Sequence, residues 1–373
     1  MSAATVDQLL AGITNVTWQS LVMIAVAGVL LYFAIVREYE PLLLLPIAAG
    51  AILANLPLSP VIEEGGLLTI LYEAGIGNEL FPLLIFIGIG ALTDFGPLLE
   101  SPRMILLGAA GQFGIFGVLI LALLLGFTRQ EAASIGIIGA IDGPTSIYVS
   151  GILAPHLLGP ITVAAYSYMA LVPVIMPPIM RALTTRAERR IRMPYGGRTV
   201  SRRTRILFPL GVTVLVGTLV PFATPLIGSL MLGNLMRESG VVERLTKASS
   251  NELANIVTLF LGLAIGSTMV GTTFLQPSTL AILGLGMLAF GLDTAAGLLF
   301  AKGLNRLAGG TFNPLIGAAG ISAFPMAARV VQRVAQEEDF ENYPLMHAMG
   351  ANAAGQVASV VAGGVLLALM AAV

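Results

Sequence analysis

Gly139-Ala-Ile-Asp-Gly-Pro-Thr-Ser-Ile-Tyr148 sets a carboxylate, Asp142, inside an apolar run from Ala132 to Leu158. The Gly-Pro pair behind it predicts a helix break, because Pro144 has no N–H and its ring crowds the preceding turn. An aspartate at the centre of a bilayer costs about 2.5–3.5 kcal/mol on insertion scales, and such residues usually mark ion or proton paths. A helix cap explains Asp142 less well, since neutral Ser or Asn caps a helix without that penalty. The broken backbone at Asp142-Gly143-Pro144 also frees carbonyls for a hard cation.

Outward from this stretch the chain is apolar. Of 373 residues, 56% are hydrophobic and 10% charged, where a soluble domain carries about 25% charged residues. The expected class is an all-α polytopic membrane protein in the lipid bilayer. Nine of the 19 basic residues fall between Arg181 and Arg205, which marks that segment as a cytoplasmic loop by the positive-inside rule. It joins two spans and brings no soluble domain, so a nucleic-acid role is not expected. The absence of cysteine excludes disulfides, thiolate catalysis and Cys-based metal sites. His156 and His347 lack the spacing of a metalloenzyme motif. Met1 to Val16 is polar without a basic leader, so no cleavable signal peptide is expected.

A span needs about 20 apolar residues. Ten stretches qualify: 17–36, 41–57, 80–94, 103–127, 160–183, 206–223, 224–236, 252–270, 278–301 and 344–372. Two more, 130–158 and 309–333, are interrupted by polar and helix-breaking residues. Asn78-Glu-Leu opens a Gly-rich span, and Asn251-Glu-Leu opens another 173 residues later. At a similar offset, the break at Asp142 falls on Asn313-Pro-Leu-Ile-Gly317. The chain therefore reads as two halves, 15–183 and 206–372, joined by the Arg-rich loop 184–205. The arms of each broken stretch, about 12 residues, are too short to span, which favours re-entrant hairpins. Five crossings per half then give an inverted-topology repeat, with two broken elements meeting at the midplane. The acidic link 58–79 lies outside and 237–250 inside.

Asn313 and Ser322 in the second broken stretch supply neutral oxygens. With Asp142 they make an all-oxygen site of charge minus one, suited to Na+ rather than a divalent ion. Arg329 is either a snorkelling interfacial arginine or an anchor for an anionic substrate. Tyr166-Ser-Tyr168 sits mid-span, as a proton relay or as packing. Asp94, after Thr93, is a cap or lines a pore. His347, Asn352 and Gln356 share one face of the last span. Asp293 and Lys302 are nine residues apart and are not expected to pair. These features fit an ion pump or a carrier equally.

Several motifs add a resemblance: Gly90-Ala-Leu-Thr-Asp-Phe-Gly-Pro-Leu-Leu99, Gly108-Ala-Ala-Gly-Gln-Phe-Gly-Ile-Phe116, Glu131 through Thr145, Ala164-Ala-Tyr-Ser-Tyr-Met-Ala-Leu-Val-Pro173, Asn313 through Gly317, Pro325-Met-Ala-Ala-Arg329 and Leu345-Met-His-Ala-Met-Gly350. From about residue 15 to the end, the chain resembles the β subunits of the sodium-pumping biotin-dependent decarboxylases. That resemblance implies a membrane subunit that decarboxylates carboxybiotin delivered by a soluble biotin/carboxyltransferase α subunit. It implies consumption of a proton from outside and export of Na+ across the bacterial cytoplasmic (inner) membrane. A small γ-type membrane subunit and a homo-oligomer of β are implied partners. The family's central aspartate matches Asp142. Its asparagine, glycine, serine and arginine match Asn313, Gly317, Ser322 and Arg329; its tyrosine matches Tyr168 and a further asparagine Asn352. The roles implied are Na+ binding by Asp142, Asn313, Gly317, Ser322 and Asn352, chemistry by Asp142, Tyr168 and Arg329, and carboxybiotin contact by Arg329 and Asn352. Two departures, Gly139-Ala-Ile-Asp142 for the usual Gly-Gly-Ala-Asp and Ala351 where Pro is usual, leave those residues in place. The alternative is a Na+-coupled secondary transporter of an organic anion, which needs no biotin partner.

Overall fold

The computed structural model describes residues 11–38, 40–194 and 200–371, and within them every regular element is helical. The expectation for Met1–Val16, and the centre of the Arg-rich loop, lie partly outside the described residues. The longer helices are α1 (Trp18–Ile35), α2 (Pro41–Asn55), α3 (Leu80–Leu92), α4 (Met104–Ala110), α5 (Phe113–Leu124), α6 (Arg129–Gly136), α7 (Gly143–Leu153), α8 (Leu158–Leu183), α9 (Arg202–Leu219), α10 (Thr224–Ser239), α11 (Ala254–Ser267), α12 (Pro277–Leu307), α13 (Met326–Glu338) and α14 (Leu345–Ala371).

All ten apolar stretches are helical, but they differ in reach. Six helical segments are long and apolar enough to cross a membrane, and a seventh is reached if the pair Pro41–Asn55 and Pro60–Ile76, bent by 110°, counts as one span. The rest are short. The 13 residues of α3 rise only about 20 Å against a hydrocarbon core of about 30 Å. Helix α9 opens with Arg202, Arg203 and Arg205 at its polar end.

The succession of elements occurs twice. Each half runs through a pair of helices, a short helix with a π turn (Tyr72–Ile76 and Ser249–Leu253), a Gly-rich helix, a long span, a broken stretch and a final long helix. Packing crosses between the halves: α2 lies on α11 and α3 on α10, while α8 packs on α12 and α14 on α4. The first two crossings are close because glycines face them. A Cβ on Gly50 would strike Leu263 O and one on Gly266 would strike Ile47 O; Gly90 and Gly233 stand in the same relation to Leu230 O and Ile87 O. Small residues at such contacts let helix backbones approach where lipid offers no hydrophobic drive for association. The larger apolar core surrounds the broken stretches, and a smaller one joins α1, α2 and α11.

Both interrupted stretches are broken where expected. Helix α6 tightens into a 3-10 turn (Ile137–Ala140), the chain turns at Ile141 and Asp142, and α7 begins. The second stretch is a 3-10 turn over Pro314–Gly320, an extended link and then α13.

Candidate functional site

Asp142 is the N-cap of α7 and is 3% exposed. Its carboxylate accepts from Thr145 N–H at 3.2 Å, Thr145 Oγ1 at 2.8 Å and Ser359 Oγ at 2.7 Å. No Lys, Arg or His among the described residues forms an ion pair with it. Neutral donors orient the group, and its charge has no cationic partner among the described residues. A monovalent cation or a proton is what such a buried carboxylate takes.

The two breaks touch. Ser322 N–H donates to Ala140 O at 3.0 Å, joining the second break to the turn before Asp142. Helix α14 holds the second break: Asn352 Nδ2 donates to Ile321 O at 2.6 Å, Gln356 Nε2 to Ser322 O at 2.7 Å, and Ser322 Oγ to Gly355 O at 3.0 Å. Asn352, Gln356 and Ser359 thus form one polar seam, and its far end is the hydrogen bond to Asp142.

A cavity of about 180 Å3 opens on Asp142, with Tyr166, Ser322, Thr258, Gln356 and Glu40 in its walls. The Tyr166 hydroxyl and Gln356 Oε1 are buried without a hydrogen-bond partner among the described residues. Two unsatisfied oxygens and a carboxylate around one cavity are the donor set that a hard monovalent ion accepts. Gly143 is required there, because a Cβ would run into the Tyr166 ring.

A second cavity of about 570 Å3 shares Ile89 and Phe324 with the first and is lined by Arg329, Arg237, Asp94 and Met349. Arg237 donates to Leu92 O at 2.6 Å and lies 3.6 Å from Asp94. Arg329 is exposed and, among the described residues, its guanidinium makes no ion pair or side-chain hydrogen bond. An anion with an apolar body fits this chemistry: a guanidinium for the charge, methionine and phenylalanine for the rest.

The structure gathers some expected residues and separates others. Asp142, Ser322 and Gln356 share one cavity, Arg329 the adjoining one, and Asn352 stands behind Ser322. Asn313 lies elsewhere. Its Nδ2 donates to Ile191 O at 2.9 Å and Arg189 O at 3.3 Å, and its Oδ1 accepts from Leu315 N–H. Gly317 meets Gly297 of α12 backbone to backbone, so that a Cβ on either would strike the other's carbonyl. Tyr168 donates to Leu283 O on α12, and its neighbour Tyr166 faces the cavity instead. Asp293 accepts from Gly114 N–H, while Lys302 reaches Leu183 O and Glu188, so the two do not pair. Ser359, Arg237 and Glu40 were not singled out in the sequence. Ser359 had a signal, since it continues the Asn352–Gln356 face three residues on. The other two reach the site only through tertiary packing.

Comparison with known proteins follows from this geometry. Residues 19–370 match the family described as Na+-transporting oxaloacetate decarboxylase beta subunit. The chain is 52% identical to the methylmalonyl-CoA decarboxylase subunit beta of Propionigenium modestum, covering 96% of each. It is 50% identical to the glutaconyl-CoA decarboxylase subunit beta of Acidaminococcus fermentans, covering 96% of this chain and 95% of that one. Identity to the oxaloacetate decarboxylase beta chain 2 of Salmonella typhimurium is 49%, over 93% of this chain and 94% of the relative. The matches run over nearly the whole chain, and the chain belongs to the beta subunits of the Na+-transporting decarboxylases.

Proposed function

We propose that this β subunit decarboxylates carboxybiotin in the Arg329 cavity and moves Na+ through the Asp142 cavity beside it. The observation that carries the reading is the shared wall of Ile89 and Phe324 between an anion-binding chamber and a buried carboxylate. Carboxybiotin arrives on a biotin-carrying carboxyltransferase α subunit from the cytoplasmic side, with its carboxylate against Arg329. The carboxyl carbon–nitrogen bond breaks, neutral CO2 leaves, and the electron pair stays on the ureido nitrogen, which takes a proton. Transfer out of water favours that loss of charge. Asp142 holds Na+, with Ser322, Tyr166 and Gln356 as neutral donors; Asn352 positions Ser322 and Asp142 from α14. A proton that neutralises Asp142 removes that carboxylate's charge from the cavity and releases the ion outward, and differential affinity between two access states couples the steps. Tyr166, which faces Asp142's cavity, is better placed than Tyr168 to pass that proton. Asn313 and Gly317 serve the site by fixing the second broken element.

The chain acts in the bacterial cytoplasmic membrane as an inverted-topology repeat of ten crossings with two re-entrant elements. Its halves span 15–183 and 206–372, and the Arg-rich loop is cytoplasmic. The crossed packing of α2 with α11 and α3 with α10 supports that reading. So does the grouping of side chains. Residues 181–192 pair with 337–341, on the inner face of this topology. Residues 131, 155–160 and 268–279 line one cavity, on the outer face. A γ-type membrane subunit and further β copies complete the assembly.

The test uses the complex purified through this chain and reconstituted in vesicles. Asp142→Asn is expected to abolish Na+ uptake and to remove the Na+ dependence of CO2 release; normal Na+-dependent turnover in the variant sinks the proposal. A secondary carrier, by contrast, moves Na+ with an organic anion in vesicles holding this chain alone.

A further inference from the structure

We infer that Glu40 is a second carboxylate of the ion path, standing at the inner mouth of the Asp142 cavity and coupled through Arg329 to the charge of the substrate. The inference rests on the function proposed above and goes beyond it. Glu40 lines the Asp142 cavity, although it belongs to the link between α1 and α2. It is the N-cap residue of α2, yet its side chain makes no capping hydrogen bond. Its backbone is held at φ 40, in the left-handed region that a non-glycine residue seldom adopts. Strain of that kind concentrates at functional positions. The other paired helix with proline in its first turn, α10, has Ala223 at its N-cap, so the helix start itself asks for no acid.

Arg329 is the cation that Glu40 senses. Burial pushes the Glu40 carboxyl up from its ordinary value, and attraction from the Arg329 guanidinium pulls it back down. No ion pair joins them within 4.0 Å, and Arg329 faces the adjoining chamber. Glu40 therefore looks into the ion cavity while feeling a charge that belongs to the substrate cavity. The direction of coupling follows. A carboxylate bound to Arg329 covers its positive charge, so a Na+ between Glu40 and Asp142 is held more tightly. When the carboxylate departs as CO2, the Arg329 charge is uncovered and the ion is repelled. Linkage makes the effect reciprocal: Na+ tightens binding of the anion.

The experiment compares E40Q and E40D with the wild type in the intact complex. Two readouts are taken: Na+ dependence of CO2 release, and Na+-dependent thermal stabilisation of the purified chain. E40Q is expected to raise half-saturating NaCl about tenfold, the scale of one charge lost from a partly buried site. The maximal rate should change far less, and E40D should recover most of the shift. Half-saturation in E40Q equal to wild type in both readouts overturns the inference. If E40Q does not accumulate, E40A decides: a rise of about tenfold in half-saturating NaCl supports the role, and a value equal to wild type overturns it. Failure of the wild-type complex to show Na+-dependent decarboxylation would instead sink the proposed function, and thermal stabilisation by NaCl would still test Glu40.

Discussion

Asp142 is held by three neutral donors, and the one from furthest away is the most informative. Thr145 comes from the same helix start, as any N-cap geometry supplies. Ser359 comes from α14, 217 residues along the chain. Its hydroxyl also donates to Gln356 O at 2.9 Å, so the proton divides between two acceptors. Ser359→Ala leaves the fold its small side chain and takes one donor from the carboxylate. A hydrogen bond to a charged group contributes about 1.5–3 kcal/mol. Half-saturating Na+ in the S359A complex should therefore shift by about tenfold or more in an assay of CO2 release, while the melting temperature moves little. An unchanged Na+ dependence removes Ser359 from the site. Both Ser359 and Tyr166 show how far residue type alone carries an argument. Ser359 continues the Asn352–Gln356 face, but nothing in the sequence ties that face to Asp142, and a tyrosine two places from another tyrosine has no mark that separates wall from core.

At the scale of elements, the second broken stretch is fixed at both ends, and Asn313 works at the end remote from Asp142. Asn313 and Asn342 both donate to the carbonyls of Arg189 and Ile191, just past the end of α8. Arg189 is itself buried, with its guanidinium on Glu338 at 2.6 Å and on Thr184 O at 2.6 Å. Arg192 reaches Asp339 and Glu341. Hydrogen bonds from these arginines hold the Glu338 and Asp339 carboxyls below their ordinary values. The first part of the Arg-rich loop is thus clasped to α13 and the residues after it, and it draws on acids of its own chain. Asn313→Ala takes one of two donors from each of those carbonyls and the acceptor from the buried Leu315 N–H, at a cost of about 1–3 kcal/mol. The expected result is a lower melting temperature in detergent, with half-saturating Na+ near wild type in the folded complex. A tenfold rise in half-saturating Na+ without loss of stability would return Asn313 to the ion site.

For the whole molecule, the two successions of helices matter because they embrace. Each half gives its Gly-rich helix to the other, and neither buries its own broken element alone. The proposed topology rests on a charge rule, and the cysteine-free sequence makes it testable. Single cysteines at Glu64 and at Arg186, both exposed, should react with a membrane-impermeant maleimide from opposite sides: E64C in intact cells, R186C only in inverted vesicles. Labelling of both from one side would refute the inverted repeat.

Much of this was legible beforehand. Hydropathy and two proline breaks located the apolar helices, the two interruptions and Asp142, because lipid penalises every unpaired charge and every broken turn. Hydropathy did not separate full spans from short helices such as α3, whose last carbonyls are met by Asn234 and Arg237 of its partner α10. Family motifs named Arg329 and Ser322, and the fold put both at the cavities. The sequence by itself determined that a carboxylate lies at a helix break among apolar residues, with a second break to meet it. Only the tertiary structure decided what surrounds that carboxylate. Ser359 and Gln356 come from α14, Tyr166 from α8 and Glu40 from the link before α2, and spacing along a chain does not say which of these elements packing brings to one carboxylate.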